Sequence, residues 1–188
     1  MEFRDLTPEE IEVRVQSIKV KDGKPSGVIL LLYKNARCDM NILDETVGAE
    51  NWEREHYECK GNLYCKVGIY CQQKNGEYDW VYKSDCGVES YTEAQKGEAS
   101  DSFKRACFNW GIGRELYTSP FIWVTPDKCN IYDTGRKDNQ GKPIFATNDR
   151  FVVEKIIIKD KQITAISIIN TNIKADNVAD KRCFLCQK

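Results

Sequence analysis

The sequence predicts an α+β fold in which three antiparallel strands lead into a long helix, with an extra hairpin near the N-terminus and another near the C-terminus. Three observations predict it. Alternation over residues 63–72 puts Leu63, Cys65, Val67, Ile69 and Cys71 on one face and Tyr64, Lys66, Tyr70 and Gln72 on the other. Helical spacing over residues 92–110 aligns Ala99, Phe103, Ala106, Cys107 and Trp110 into one apolar stripe. Apolar runs at 15–20 and 28–33, and again at 151–158 and 162–170, are separated by turn chemistry, the signature of hairpins.

Taken in order, Thr7-Pro8-Glu9-Glu10 reads as a helix start. Thr7 is the N-cap, Pro8 the first helical residue, and Glu10 stands where a capping box closes. That helix is expected to end near residues 13–15, where the first hairpin begins. Met40, Leu43 and Val47 mark one face of a second helix, and Gly48 stops it. Three strands are expected between Trp52 and Val88, with Asn75-Gly76 as a turn. Gly111-Ile112-Gly113 ends the long helix. Helix, three strands, helix is also the order of double-stranded-RNA-binding modules, an analogy of fold alone. Composition changes after Pro120, so residues 1–123 are expected to form the core domain and 124–188 an extension. Within the extension, residues 126–150 read as an exposed loop, 151–170 as a closing hairpin, and the polar stretch from Asn172 as a mobile tail.

The 188 residues are long enough to bury a core without covalent staples. Their 28 basic and 29 acidic side chains nearly cancel, but unevenly: residues 1–100 carry 13 bases against 19 acids, and residues 101–188 carry 15 against 10. A positive surface can therefore stand beside an acidic one. The longest apolar run, at 27–33, is too short to cross a membrane, and the N-terminus lacks the apolar core of a secretion signal. A soluble, intracellular protein with no membrane partner is expected. Nine cysteines, an odd number, are expected to pack as buried thiols. Cys183 and Cys186 alone have the spacing of a zinc knuckle, but a structural zinc needs four ligands and the sole histidine is His56. No metal and no cofactor are expected.

Enzymatic motifs are sparse. There is no Walker-type phosphate loop, and Gly111-Ile112-Gly113 lacks dinucleotide-binding spacing. Glu50, Glu53, Glu55 and Glu58 read as a solvated face rather than a metal cage. Binding is the stronger lead, because single-stranded nucleic acid is held by cations along the phosphates and aromatic faces under the bases. Cations and aromatics interleave at Tyr64 with Lys66, at Tyr82 with Lys83, and at Lys104-Arg105 near Trp110 and Arg114. Lys104 and Arg105 flank the buried stripe, where an ion pair to Asp101 one turn earlier is the competing structural role.

Four blocks occur in one order: Ile11-Glu12-Val13-Arg14-Val15; residues 34–48 with Asn51-Trp52; Gly97-Glu98-Ala99-Ser100-Asp101-Ser102-Phe103-Lys104-Arg105-Ala106; and Trp110-Gly111-Ile112-Gly113-Arg114-Glu115-Leu116-Tyr117. Together, over residues 6–123, they resemble the phage and prophage, Sak-like branch of the Rad52 family of single-strand annealing proteins. The resemblance implies a three-stranded sheet packed on the long helix, and subunits joined in a homo-oligomeric ring with a positive groove. It also implies single-stranded DNA as ligand, annealing without nucleotide hydrolysis, and a role in homologous recombination and repair, in the cytoplasm of a bacterial host. A single-strand-binding protein is a further partner it implies. The family's groove cations fall on Arg14 and on Lys104 and Arg105, with Arg37 in the second block. The resemblance also implies a second, outer DNA site, for which Lys60, Lys66 and Lys83 are the candidates. Val13 stands where relatives commonly carry Trp.

Two alternatives stand beside annealing. One is a protein of the same fold that protects single strands or DNA ends without pairing them. The other is a metal-assisted nuclease built on the acidic stretch.

Overall fold

The computed structural model describes residues 1–88, 94–174 and 180–187. The chain forms two compact units, one of residues 1–5 and 35–114, the other of residues 6–34 and 115–188. The second spans position 123.

The first unit holds α1 (Ala36–Val47), β3 (Trp52–Cys59), β4 (Asn62–Gln72), β5 (Tyr78–Cys86) and α2 (Ala94–Trp110). Asn35 caps α1, its side-chain oxygen accepting from the backbone N–H groups of Arg37 (2.9 Å) and Cys38 (3.0 Å), a contact worth about 1 kcal/mol. Gly48 ends the helix at φ +87°, a conformation that costs glycine nothing. β3, β4 and β5 form an antiparallel sheet in that order. The inward set on β4, including Cys65, Val67 and Ile69, is fully buried, as are Phe103, Ala106 and Cys107 of α2. α2 packs on β4 and β5 through these residues. The expected start of α2 at residue 92 lies outside the described residues.

In the second unit, a six-stranded antiparallel sheet runs in the order β11 (Arg182–Gln187), β10 (Gln162–Asn170), β9 (Phe151–Lys159), β1 (Glu12–Lys21), β2 (Lys24–Tyr33) and β6 (Ile122–Val124). Its edge strands β6 and β11 approach one another, so the sheet is barrel-like and nearly closed. Val28, Leu30, Ile122, Val124, Ile163, Ile166 and Ile168 fill its interior. β7 (Ile131–Lys137) and β8 (Pro143–Thr147) form a separate hairpin.

This corrects the expected fold class. A three-stranded sheet does pack on α2, but the chain as a whole is mostly β, and the six-stranded sheet is its largest element. The two hairpins expected as appendages are not independent. A two-stranded ribbon cannot bury its apolar face alone. The two ribbons join through Glu12 opposite Val152, and short strands add at both edges. The stretch expected as an exposed loop contains the β7–β8 hairpin, whose turn is tied by Asp138 accepting from the backbone N–H groups of Gln140 (2.8 Å) and Lys142 (2.9 Å). In the tail, residues 182–187 pair with β10, and Arg182 grips Glu154 through two 2.8 Å contacts. Near the N-terminus the expected helix is a single 3₁₀ turn, Pro8–Glu10, because β1 begins at Glu12. No described helix is long and apolar enough to cross a membrane.

One polar network pins the second unit. Asn170, fully buried, donates to the Lys128 carbonyl (3.1 Å) and to the Asp149 carboxylate (2.6 Å). Asp149 also accepts from the Asn130 backbone N–H (2.7 Å) and side-chain amide (3.1 Å). Burial alone would raise the Asp149 pKa, but these donors outweigh it and hold the carboxyl below its ordinary value. The stability it contributes is therefore present above the unfolded pKa and is lost as pH falls through the lower folded value. Replacing Asp149 by Ala leaves a buried amide half-satisfied, and should cost about 2 kcal/mol in chemical denaturation at neutral pH. The deficit against wild type should shrink as the solution is acidified.

Candidate nucleic-acid interface

Positive side chains gather in the first unit where α2 ends. The last carbonyls of a helix have no intrahelical donor and carry partial negative charge. Here they receive cations. Lys83 reaches in from β5 and donates to the Asn109 carbonyl (2.9 Å), with its ammonium 4.5 Å from the Trp110 ring centre. Arg114, just past Gly113, donates to the carbonyls of Asn109 (2.7 Å) and Phe108 (2.9 Å). Arg105 lies against Asp85 of β5 (3.3 Å), which also accepts from the Asn109 side-chain amide (3.4 Å). Asn109 thus knits Lys83, Arg105 and Arg114 into one cluster in which Asp85 is the acid shown. Such a cluster can hold a phosphate-bearing chain, and the Trp110 and Phe108 rings stand beside it.

The other expected binding residues lie elsewhere. Lys104 faces Asp101 at 4.0 Å, the competing structural role raised by the sequence. Arg37 is exposed on the first turn of α1. Lys60 occupies the β3–β4 turn. Lys66 is on the sheet face opposite α2, paired with Glu55 at 2.7 Å. In the second unit, Arg14 pairs with Glu12 (Nε at 3.2 Å) and lies 5.1 Å from the Tyr33 ring centre. These ion pairs are largely exposed, and exposed pairs contribute at most about 1 kcal/mol. A polyanion can exchange with the single carboxylates beside Lys104 and Arg14 at small cost, whereas Lys66 has both Glu55 and Glu53 about it.

Cys183 and Cys186 are three residues apart on β11. The strand register shifts at Cys183, between the Ile168–Phe184 and Ile169–Arg182 pairs, and a closed zinc site would need two ligands besides this pair. Cys183 contacts the Ile168 carbonyl (3.4 Å), and burial pushes its thiol up to about 12, away from the thiolate that metals bind.

Sequence reasoning missed Asp85 and Asn109, the partners that organise the cluster, because they meet α2 and β5 only in three dimensions. It singled out Tyr64, Tyr70 and Tyr82 but not the continuous aromatic face that they form with Tyr57, Tyr78 and Trp80 on the outer side of the sheet. Tyr57, Tyr64, Tyr70, Tyr78, Trp80 and Tyr82 all project there, with neighbouring ring centres 5.5–6.2 Å apart. Alternation of Tyr78, Trp80 and Tyr82 was the available signal. Tyr82 is held on four sides. Its ring covers Gly68 so closely that a Cβ there would stand 2.4 Å from it, and its hydroxyl donates to Glu53 (2.9 Å). The Lys66 ammonium is 4.9 Å from the ring centre, and Trp80 stacks beside it. The bond to Glu53 raises the Tyr82 pKa, and the bond to Glu55 raises that of Lys66.

The family model described as Rad52/22 family double-strand break repair protein matches residues 4–131, well over half of the chain, and the chain belongs to that family. The family places it in double-strand break repair and recombination. No curated protein matches it.

Gly68→Ala should lift the Tyr82 ring off the sheet. The Lys66 side-chain protons, shielded by that ring in the wild type, should then move downfield in the NMR spectrum while the overall fold is retained.

Proposed function

We propose that the protein binds single-stranded DNA and pairs complementary strands without nucleotide hydrolysis, acting as a ring of identical subunits. The observation that carries this reading is the family match over residues 4–131, a span that includes Arg14, Arg37, Lys83, Lys104, Arg105 and Arg114. The cluster of cations at the end of α2 supports it. The resemblance of the four sequence blocks to the phage branch supports a reading in which the protein works in a bacterial cytoplasm with a host single-strand-binding protein near it.

In this mechanism the protein is no enzyme. Each subunit neutralises a few phosphates, and linked subunits hold the strand by multivalency rather than by tight single contacts. Arg105, Lys83 and Arg114 hold the backbone and leave the base edges open to a complementary strand. The free energy of annealing comes from base pairing. Phosphate contacts carry no base information, so little sequence preference is expected. Affinity should fall with salt at a log–log slope near −0.7 for each phosphate neutralised.

The direct test mixes dye-labelled complementary oligonucleotides with the protein and no nucleotide. Annealing should run well above the spontaneous rate, and protection without acceleration would leave only strand binding. In the Lys104→Ala/Arg105→Ala variant, single-strand affinity should drop about tenfold or more with the circular dichroism spectrum unchanged. Wild-type affinity in that variant would place the strand elsewhere.

A further inference from the structure

We propose that the aromatic outer face of the β3–β5 sheet is the surface on which a second copy of this chain docks. This rests on the oligomeric part of the proposed function and assigns it a surface. Tyr78, Tyr82, Tyr70 and Tyr57 of that face are 59, 44, 40 and 37% exposed, an unusually large aromatic surface for a chain that stays alone. Tyr and Trp are the residues that interfaces between proteins favour. The rings are held before any partner arrives, Tyr82 by Gly68 and Glu53 and the others by stacking on one another. Docking on them therefore orders few side chains.

Charge decides the occupant. The face carries Glu53, Glu55 and Lys66, and Lys66 is already paired with Glu55. Phosphates would meet the carboxylates there, so a polynucleotide is disfavoured. The unit bearing the face holds 11 basic against 16 acidic residues, while the other unit holds 17 against 13. An acidic aromatic surface and a basic one therefore occur on the same chain.

The basic unit supplies a complementary element. Tyr117 and Phe121 are 75 and 69% exposed, more than any other aromatic among the described residues. The Thr118 hydroxyl between them accepts from the Ile163 backbone N–H (2.8 Å), and Ile163 follows the Lys159-Asp160-Lys161 turn by two residues. Aromatic rings with lysines alongside suit a face of rings with glutamates alongside, through stacking and cation–π contact. The contact is head to tail. Each copy then keeps one unused face and one unused knob, and association continues until the rotation closes.

Light scattering after gel filtration, at micromolar full-length protein, tests this with two charge reversals. Glu53→Lys/Glu55→Lys and Lys159→Glu/Lys161→Glu should each fall toward the 21.7 kDa single chain. Mixed in equal amounts they should recover the wild-type mass, because each reversed face then meets a reversed knob. Reversed variants that keep the wild-type mass would overturn the proposal and leave oligomerisation to another surface. A monomeric wild type, with and without oligonucleotide, would overturn the ring itself. A Tyr70→Ser/Tyr78→Ser variant that keeps its assembly but loses single-strand affinity would assign the face to DNA bases instead.

Discussion

The unsatisfied carbonyls at the C-terminal end of α2 fix where positive charge lies in the first unit. A helix must find donors for its last turn, and neutral backbone or water would suffice. This sequence uses Lys83 from β5 and Arg114 from beyond Gly113, both on the Asn109 carbonyl. That choice has two effects. It locks α2 against β5, and it leaves two cationic groups gathered in a unit that is acidic overall. α2 itself has no acid in its first turn and no base in its last, so the cations at its C-terminal end come from Lys83 and Arg114 outside the helix. Position in the fold, rather than net charge, concentrates the cations at this end of the helix.

The same sheet separates two kinds of surface. Its inner face buries Cys65, Val67 and Ile69 under α2 and sends Lys83 and Asp85 to the helix end. Its outer face holds stacked tyrosines and tryptophan with Glu53 and Glu55. Because the side-chain period is two, neighbours in sequence such as Tyr82 and Lys83 serve opposite faces. Interleaved cations and aromatics in the sequence therefore look like one mixed surface, whereas the pleat sorts them into a cationic edge and an aromatic plane. Lys66 is the exception, a cation left among the rings and balanced by Glu55.

Short-range features were legible in the sequence. Alternation revealed β4, helical spacing revealed α2, and Gly48 marked the end of α1. The adjacent Lys104-Arg105 pair and the family blocks pointed to α2, the helix at whose end Lys83, Arg105 and Arg114 gather. Long-range features were not. Nothing local tells Glu12 that it will face Val152, so two hairpins read as appendages rather than halves of one sheet. The β7–β8 hairpin was hidden because β7 is mostly polar, β8 is only five residues long, and the turn between them is tied by side chains such as Asp138. Similarly, Lys83 and Arg114 are 31 positions apart in sequence and meet only through the carbonyl of Asn109.

Electron cryomicroscopy of the protein bound to a long oligonucleotide tests the central claim most directly. The account predicts continuous density for a phosphate backbone running past Arg105, Lys83 and Arg114 of successive subunits, with base edges turned away from the protein. A strand that lies flat on the tyrosines of the outer sheet face, or that leaves the end of α2 bare, would contradict it.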